Sequence, residues 1–286
     1  MLTREMIINE LKSREIEAKP VEVEKNGVIF KGISLGNGPI CPTIYTEEFE
    51  KYADDELEDA VDVIVYRYNK AKEETPVIDL EKIMNWDYVK THLQLCIQRK
   101  GNENIVKRDF LDLEEYVRVN IDNTGSFKVK PIHLEKYGVT EDVLFHAAWD
   151  CTAPSIVIED MAVMIAEMTG MSIKEVAEMQ GDNPMIVATT KEKHFGAIAM
   201  KATDKITEVA DRYGTDLAIL PSSIHEILFI PVREDMNFIE LNAMVHAVNI
   251  NEVAPEEVLS NHAYRFNRDE RSITYYHDTK SGKHIL

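Results

Sequence analysis

A short polar segment lies between two apolar stretches and carries residue types that could do chemistry. Within the run LPSSIHE, Ser222 and Ser223 stand two to four positions before His225 and Glu226. A serine, a histidine base and a carboxylate can together support nucleophilic or acid–base catalysis. Bends at strand ends are also where α/β folds commonly place functional side chains. The alternative is a tight turn in which the serines only satisfy backbone amides.

Other catalytic and metal-binding patterns are missing around this segment. His225-Glu226 begins like the zinc-protease pattern HExxH, but Phe229 stands where the second histidine should be. Neither a dinucleotide-binding GxGxxG, a phosphate-binding GxxxxGK[ST] nor a GxSxG elbow occurs. Cys41, Cys96 and Cys151 are too far apart in sequence for a CxxC pair, so we interpret them as buried thiols. We therefore expect no metal and no cofactor.

Polar residues further along the chain could still meet this segment in space. His246 and Asn249 fall near the end of a predicted helix, and Asn261 and His262 fall in a loop. Such a meeting would favour an enzyme, for example a hydrolase acting on a small molecule.

The charge balance excludes several kinds of partner. The 286 residues include 51 acidic and 32 basic side chains, giving a net charge of −19. Binding nucleic acid through a broad face requires clustered Lys and Arg, which neutralise phosphates. We therefore expect neither direct nucleic-acid binding nor attraction to an anionic membrane surface.

Much of this negative charge is local. Residues 47–62 contain nine acids against one base, Lys51, and apolar residues recur there at steps of three and four. This spacing predicts an amphipathic helix capped by Thr46 and reaching about Tyr68. The acidic face is either merely solvated or a contact surface for a basic partner. The candidate partner-binding residues are Glu47, Glu48, Glu50, Asp54, Asp55 and Glu58.

A stripe of methionines marks a second predicted helix, which spans residues 156–169. Met161, Met164, Met168 and Met171 are separated by three, four and three residues. Such a stripe is typical of core packing, and the alternative is a pliable groove for a partner helix.

The order of predicted elements indicates an α+β (mixed α/β) fold. Asn26-Gly27 between apolar runs predicts a β-hairpin, and helices are predicted over residues 78–98 and 194–213. We expect a hairpin plus helical region over residues 1–110 and a C-terminal module with a helix-covered sheet over 111–286, or one continuous domain. No long apolar segment is found, so we expect a cytoplasmic protein.

Several segments together resemble one protein family. They are the run from Ile219 to Glu226, Val248-Asn249, the run EVAPEEVLS at 252–260, and the N-terminal Asn26-Gly27-Val28 and Pro42-Thr43-Ile44-Tyr45. The chain is similar to the domain of unknown function 5688 family, found mostly in gut Firmicutes and often on mobile elements. Residues 116–145 are also distantly similar to the domain of unknown function 1444 family. The resemblance implies a bacterial or phage-related protein and supplies no catalytic residue.

Together these observations favour a non-enzymatic protein-binding or regulatory module that uses the acidic helix face. If it comes from a mobile element, the face would mimic nucleic acid and block a nucleic-acid-binding defence protein of the host. The alternative is the small-molecule enzyme built around Ser222, Ser223, His225 and Glu226.

Overall fold

The chain folds into two compact units. The N-terminal unit comprises residues 1–79 together with 101–103, and the remaining residues form the C-terminal unit. The computed structural model describes residues 1–38, 41–74, 79–121, 125–180, 184–221 and 223–275.

The N-terminal unit packs two helices against a three-stranded antiparallel sheet of order β1-β2-β3. Its core is formed by the apolar sides of both helices, such as Leu11 and Ile64, with Ile33 and Leu35 of the sheet. In chain order its elements are α1 (Arg4–Ser13), β1 (Ala18–Lys25), β2 (Val28–Leu35), β3 (Thr43–Tyr45), a 3-10 helix (Asp54–Glu56) and α2 (Leu57–Glu74).

The predicted hairpin is confirmed. Strands β1 and β2 pair in antiparallel register up to Lys25 and Val28. The two turn residues, Asn26 and Gly27, both have positive φ angles, of 49° and 76°. This is the conformation that a two-residue hairpin turn requires and that Asn and Gly adopt at low cost.

The predicted start of the acidic helix is wrong. Thr46 does not cap α2; its side chain is buried, and its hydroxyl donates a hydrogen bond 3.1 Å long to the carbonyl of Lys31 in β2. The next residues form turns that bury Phe49, and α2 begins only at Leu57. Bonding to the sheet has therefore replaced the local capping that the sequence pattern suggests.

The C-terminal unit contains two further antiparallel sheets. One has the order β4-β6-β5, with β7 pairing along β6, and the other has the order β13-β12-β10-β11-β9-β8. The strands are β4 (Leu93–Arg99), β5 (Lys107–Phe110), β6 (Leu113–Ile121), β7 (Gly125–Lys128), β8 (Ile156–Asp160), β9 (Ile186–Thr190), β10 (Leu217–Leu220), β11 (Ile227–Pro231), β12 (Tyr264–Asn267) and β13 (Ser272–Tyr275).

Helices cover these sheets, and one continuous core joins them. Leu95 and Val117 of the smaller sheet pack in the same cluster as Phe229 of the larger one and Leu144 and Ile206 of two helices. The helices are α3 (Leu80–Ile83), α4 (Trp86–Val89), α5 (Pro131–Tyr137), α6 (Glu141–Thr152), α7 (Met161–Thr169), α8 (Ile173–Gln180), α9 (Thr203–Tyr213) and α10 (Phe238–Glu252), with 3-10 helices at Ala153–Ser155 and Gly196–Lys201. The predicted mixed α+β class is confirmed.

Three predicted helices differ from the structure. The end of the first is strand β4, the beginning of the second is strand β8, and the third is a 3-10 helix followed by α9. In β4, residues 95–98 are buried on both faces of the sheet. Such a strand lacks the polar–apolar alternation that separates strands from helices in a sequence.

The described residues offer neither a membrane-spanning helix nor a cluster of metal ligands. None of their helices combines the length and apolar composition needed to span a membrane. The same part of the chain contains no group of three or more His, Cys, Asp or Glu side chains that could hold a metal ion.

Candidate functional site

Part of the acidic sequence is used inside the N-terminal unit. The Glu48 carboxylate forms an ion pair with Arg67, and Asp62 forms one with Arg14. The Asp54 carboxylate lies 2.9 Å from the N-terminal ammonium group. Glu47 accepts a hydrogen bond from the backbone N–H of Lys31. These four carboxylates therefore stabilise the unit itself.

Other carboxylates in the same stretch have no such internal role. The side chains of Glu50, Asp55, Glu58 and Asp59 are exposed, and no described residue pairs with them. We call these four residues the acidic surface. Three of the six predicted partner-binding residues belong to the acidic surface. Glu50 lies in a turn, Asp55 in the 3-10 helix before α2, and Glu58 in the first turn of α2. Asp59 belongs to the same surface and was not among the predicted contact residues.

An exposed aromatic residue follows the acidic surface along α2. Tyr66 is 68% exposed and is seven residues, about two helical turns, beyond Asp59. Asp62 lies between them, one turn from Tyr66. Tyrosine is enriched among the residues that contribute most to binding energy at protein interfaces.

The polar segment at 222–226 is a turn as far as it is described. The hydroxyl oxygen of Ser223 accepts a 3.0 Å hydrogen bond from the backbone N–H of His225. The backbone N–H of Ser223 donates to the carbonyl of Glu226 over 3.1 Å. Ser223 is thus bonded to the backbone rather than to the His225 ring. Ser222 lies outside the described residues, and the enzyme hypothesis now depends on it.

The His225 ring is oriented by residues other than its predicted partners. Its Nδ1 accepts a 3.2 Å hydrogen bond from the backbone N–H of Phe195. Its Nε2 lies 3.5 Å from a carboxylate oxygen of Glu257. No described residue forms a hydrogen bond or ion pair with the Glu226 side chain. The described atoms therefore give a histidine near a carboxylate, without a hydroxyl nucleophile beside it.

The downstream polar residues form two separate groups. The side-chain nitrogen of Asn249 donates to the side-chain oxygen of Asn261 over 2.9 Å, so these two residues do meet. The side chain of His246 is exposed on α10. His262 instead bonds to Asp112, in the turn between β5 and β6. No hydrogen bond joins either group to Ser223, His225 or Glu226 in the described chain.

A polar cluster around Asp112 is not predicted by any sequence pattern. One carboxylate oxygen lies 2.8 Å from His262 Nε2, and the other accepts a 2.9 Å hydrogen bond from the Tyr264 hydroxyl. The His262 ring stacks on Tyr275, with ring centroids 5.0 Å apart. No motif marks Asp112, because it is 150 residues from His262 in sequence. Only the folded structure brings them together.

The protonation states within this cluster follow from burial and hydrogen bonding. Burial opposes ionisation of Asp112, but the hydrogen bond and charge of His262 outweigh it, so the pKa of Asp112 lies below its ordinary value. Burial raises the pKa of Tyr264, and the Asp112 carboxylate raises it further. Asp112 is therefore ionised and Tyr264 neutral at pH 7. With every member bonded to another, the cluster stabilises the fold.

The methionine stripe is not core packing along its whole length. Met168 is 80% exposed, so the core interpretation is wrong for this residue. Helix α7 buries Ala162 and Ala166 instead, against Val176 of α8.

Comparisons with known proteins identify a family but no activity. A family model described as a family of unknown function, DUF5688, matches residues 3–268. No curated protein and no solved structure matches the chain. The second resemblance, to the domain of unknown function 1444 family, remains a prediction.

Proposed function

This chain belongs to the DUF5688 family, whose function is unknown, and we propose that it is a non-enzymatic protein-binding module that engages a basic partner through the acidic surface. The observation that carries the proposal is that the side chains of Glu50, Asp55, Glu58 and Asp59 are exposed and form no ion pair or hydrogen bond with any described residue. Arg14 and Arg67 belong to the same unit, but they pair with other carboxylates. The acidic surface is therefore free to pair with another molecule.

Electrostatics of this kind mainly serve recognition. Exposed charges accelerate encounter with an oppositely charged partner and select against like-charged ones, and salt screens them. They supply little affinity when each pair stays hydrated. Affinity requires a desolvated anchor as well, and Tyr66 supports the proposal because it provides an exposed aromatic ring on the same helix.

A sharper form of the proposal concerns the kind of partner. Carboxylates on one surface can occupy the sites where a nucleic-acid-binding protein holds phosphates. In a bacterium or a mobile element, the protein would then inhibit a defence protein of the host by competing with its nucleic acid. In that case, adding the protein should displace DNA from the partner, and the displacement should weaken with salt.

The enzyme alternative has weaker support. It needs a nucleophile beside His225, and Ser223 is occupied by the turn.

Charge reversal tests the binding proposal. Replacing Glu50, Asp55, Glu58 and Asp59 together by Lys should abolish binding of a fluorescent Arg- and Lys-rich peptide, followed by anisotropy in about 30 mM salt. The variant raises the net charge by eight units, so a control with the same change elsewhere is essential. Suitable control positions are exposed carboxylates of the C-terminal unit, namely Glu192, Asp204, Glu208 and Glu234.

The comparison between the two variants decides the outcome. The proposal expects the control variant to keep most of the affinity, and Tyr66→Ala in the otherwise unchanged protein to weaken binding. Equal loss in both charge variants would mean that only the total charge attracts the peptide, and the acidic surface would have no special role. Circular dichroism of both variants verifies that they fold.

A further inference from the structure

A cavity of about 560 Å³ lies in the C-terminal unit, between strands β10 and β11 and helix α10. Its walls are mostly aliphatic. Leu220 and Ile230 line it from the strands, and Leu241 and Val245 line it from the helix. Cavities of about 300–1,000 Å³ with apolar walls and few polar groups are typical sites for small molecules.

Helix α10 is unusually poorly buried for its composition. Only Val245 and Asn249 of its fifteen residues are buried. Met244 and Val248 line the cavity and remain 46% and 44% exposed. Burying such side chains is favourable by about 25 cal/mol per Å² of apolar surface, so the open cavity leaves this stabilisation unused. An apolar molecule in the cavity would supply it.

Asn249 provides one polar group in this apolar cavity. The residue is only 5% exposed, and its side-chain nitrogen donates to the carbonyl of Ser260 over 2.8 Å and to the side-chain oxygen of Asn261. A backbone carbonyl can only accept, so the amide nitrogen must face Ser260. Both amide hydrogens are therefore used. The remaining oxygen, Oδ1, accepts no hydrogen bond from any described residue, so it is available to a donor in the cavity that Asn249 lines.

We propose that this cavity binds an uncharged apolar small molecule that carries one hydroxyl or N–H group, which donates to Asn249 Oδ1. A carboxylate ligand would instead place its oxygens against the lone pairs of Oδ1. The charged residues at the cavity, Arg233 and Asp235, lie 3.4 Å apart and offset each other, so they do not select for an ion. The site is independent of the acidic surface, which belongs to the other unit.

The size of the cavity suits a small molecule, because its volume of about 560 Å³ lies within the range of about 300–1,000 Å³ that is typical of small-molecule sites. A second copy of the chain would need to bury about 800 Å² on each partner, far more than the lining of one cavity. A single aromatic or short aliphatic molecule fits without such contacts.

A pair of matched ligands tests the polar part of the proposal on the unmodified protein. We expect 1-naphthol to bind, and 1-methoxynaphthalene, which has the same rings but no donor, to bind at least about threefold more weakly. Isothermal titration calorimetry measures both. Equal affinities would overturn the role of Asn249, and absence of binding by either ligand would overturn the site.

Variants of α10 locate the binding. Val248→Trp would fill the cavity from its half-exposed wall and should abolish naphthol binding. Ile250→Trp places the same ring at a residue that is 69% exposed and does not line the cavity, so this control should bind normally. Binding that survives Val248→Trp would place the ligand elsewhere and contradict the proposal.

Methionine methyl signals give a second measurement, which is made on the unmodified protein and does not depend on a variant being folded. Met185, Met236 and Met244 line the cavity, whereas Met1 belongs to the other unit. Naphthol should shift the NMR methyl signals of the first three and leave Met1 unchanged. Shifts confined to other methionines would overturn the assignment.

Analytical ultracentrifugation tests whether a second copy of the chain occupies the cavity. The proposal would be overturned if the unmodified protein were a dimer that does not bind naphthol and Val248→Trp were a monomer.

Discussion

Asp112 and His262 form a 2.8 Å contact between residues 150 positions apart in sequence. Asp112 lies in the turn between two strands of the smaller C-terminal sheet, and His262 lies two residues before β12 of the larger one. Tyr264 binds the second carboxylate oxygen of Asp112. The cluster therefore ties one sheet to the other through partly buried polar groups, whose loss should be costly.

Asp112→Asn should lower the free energy of unfolding by about 2–3 kcal/mol at pH 7, because it removes a charged hydrogen-bond acceptor from a partly buried site. The pKa of Asp112 is lowered in the folded protein. Its stabilising effect is thus complete above the unfolded pKa of about 3.9 and disappears as pH falls through the lower folded value. Urea denaturation at several pH values measures the difference between the two proteins.

The difference in free energy of unfolding between the unmodified protein and Asp112→Asn should narrow below about pH 4. A gap of constant size would mean that the charge of Asp112 contributes nothing. Tyr264→Phe serves as a comparison, because it removes one hydrogen bond to Asp112 and keeps the ring. It should cost about 1 kcal/mol.

Gly196→Ala should destabilise the protein by about 3 kcal/mol through a backbone clash. An added Cβ would lie 2.4 Å from the carbonyl oxygen of His225 and 2.4 Å from Thr189 Cα, neither of which can rotate away. Thermal or chemical unfolding of the variant measures the loss. Gly170→Ala is a suitable control, since it meets nothing within 4 Å and only its positive φ of 74° resists the change.

This control should cost about 1–2 kcal/mol, the penalty for placing a side chain in the left-handed region. If Gly196→Ala cost no more than Gly170→Ala, the close approach of the 3-10 helix to the His225 turn would be refuted.

The three cysteines should react with a thiol reagent in a defined order. All three were expected to be buried, but only Cys96 is; Cys41 and Cys151 are partly exposed. Burial raises the pKa of the Cys96 thiol to about 12, so almost no thiolate exists near pH 8. Burial also raises the pKa of Cys151. We expect iodoacetamide to modify Cys41 first, Cys151 more slowly and Cys96 only after denaturation.

Mass spectrometry of the native protein over time follows the three modifications. Modification of Cys96 at the rate of Cys41 would contradict its position in the centre of strand β4.

The parts of the fold that were predicted correctly are those with local causes. Asn26 and Gly27 define the first hairpin because both residues tolerate positive φ angles. Gly214 ends helix α9 in the same left-handed conformation. The sequence pattern wrongly predicts helices where β4 and β8 lie, because tertiary burial, which the pattern does not record, decides between the two structures.

The candidate sites were predictable only in part, for the same reason. The sequence shows how many carboxylates lie between residues 47 and 62, but the pairs Glu48–Arg67 and Asp62–Arg14 depend on how α1, the turns and α2 pack. Glu48 and Asp62 are therefore already paired within the N-terminal unit and are not available to a partner. The sequence places Asn249 near the end of a predicted helix, but its two bonds to residues 260–261 and its unused oxygen follow from the position of α10 beside the sheet.

The most direct measurement of the binding proposal is zero-length cross-linking. A carbodiimide joins carboxylates to the lysines of a bound Arg- and Lys-rich peptide, and mass spectrometry identifies the carboxylates that reacted. The proposal predicts cross-links concentrated at Glu50, Asp55, Glu58 and Asp59, which decline as salt rises from about 30 to about 300 mM. Cross-links distributed equally over Glu192, Asp204, Glu208 and Glu234 would contradict it.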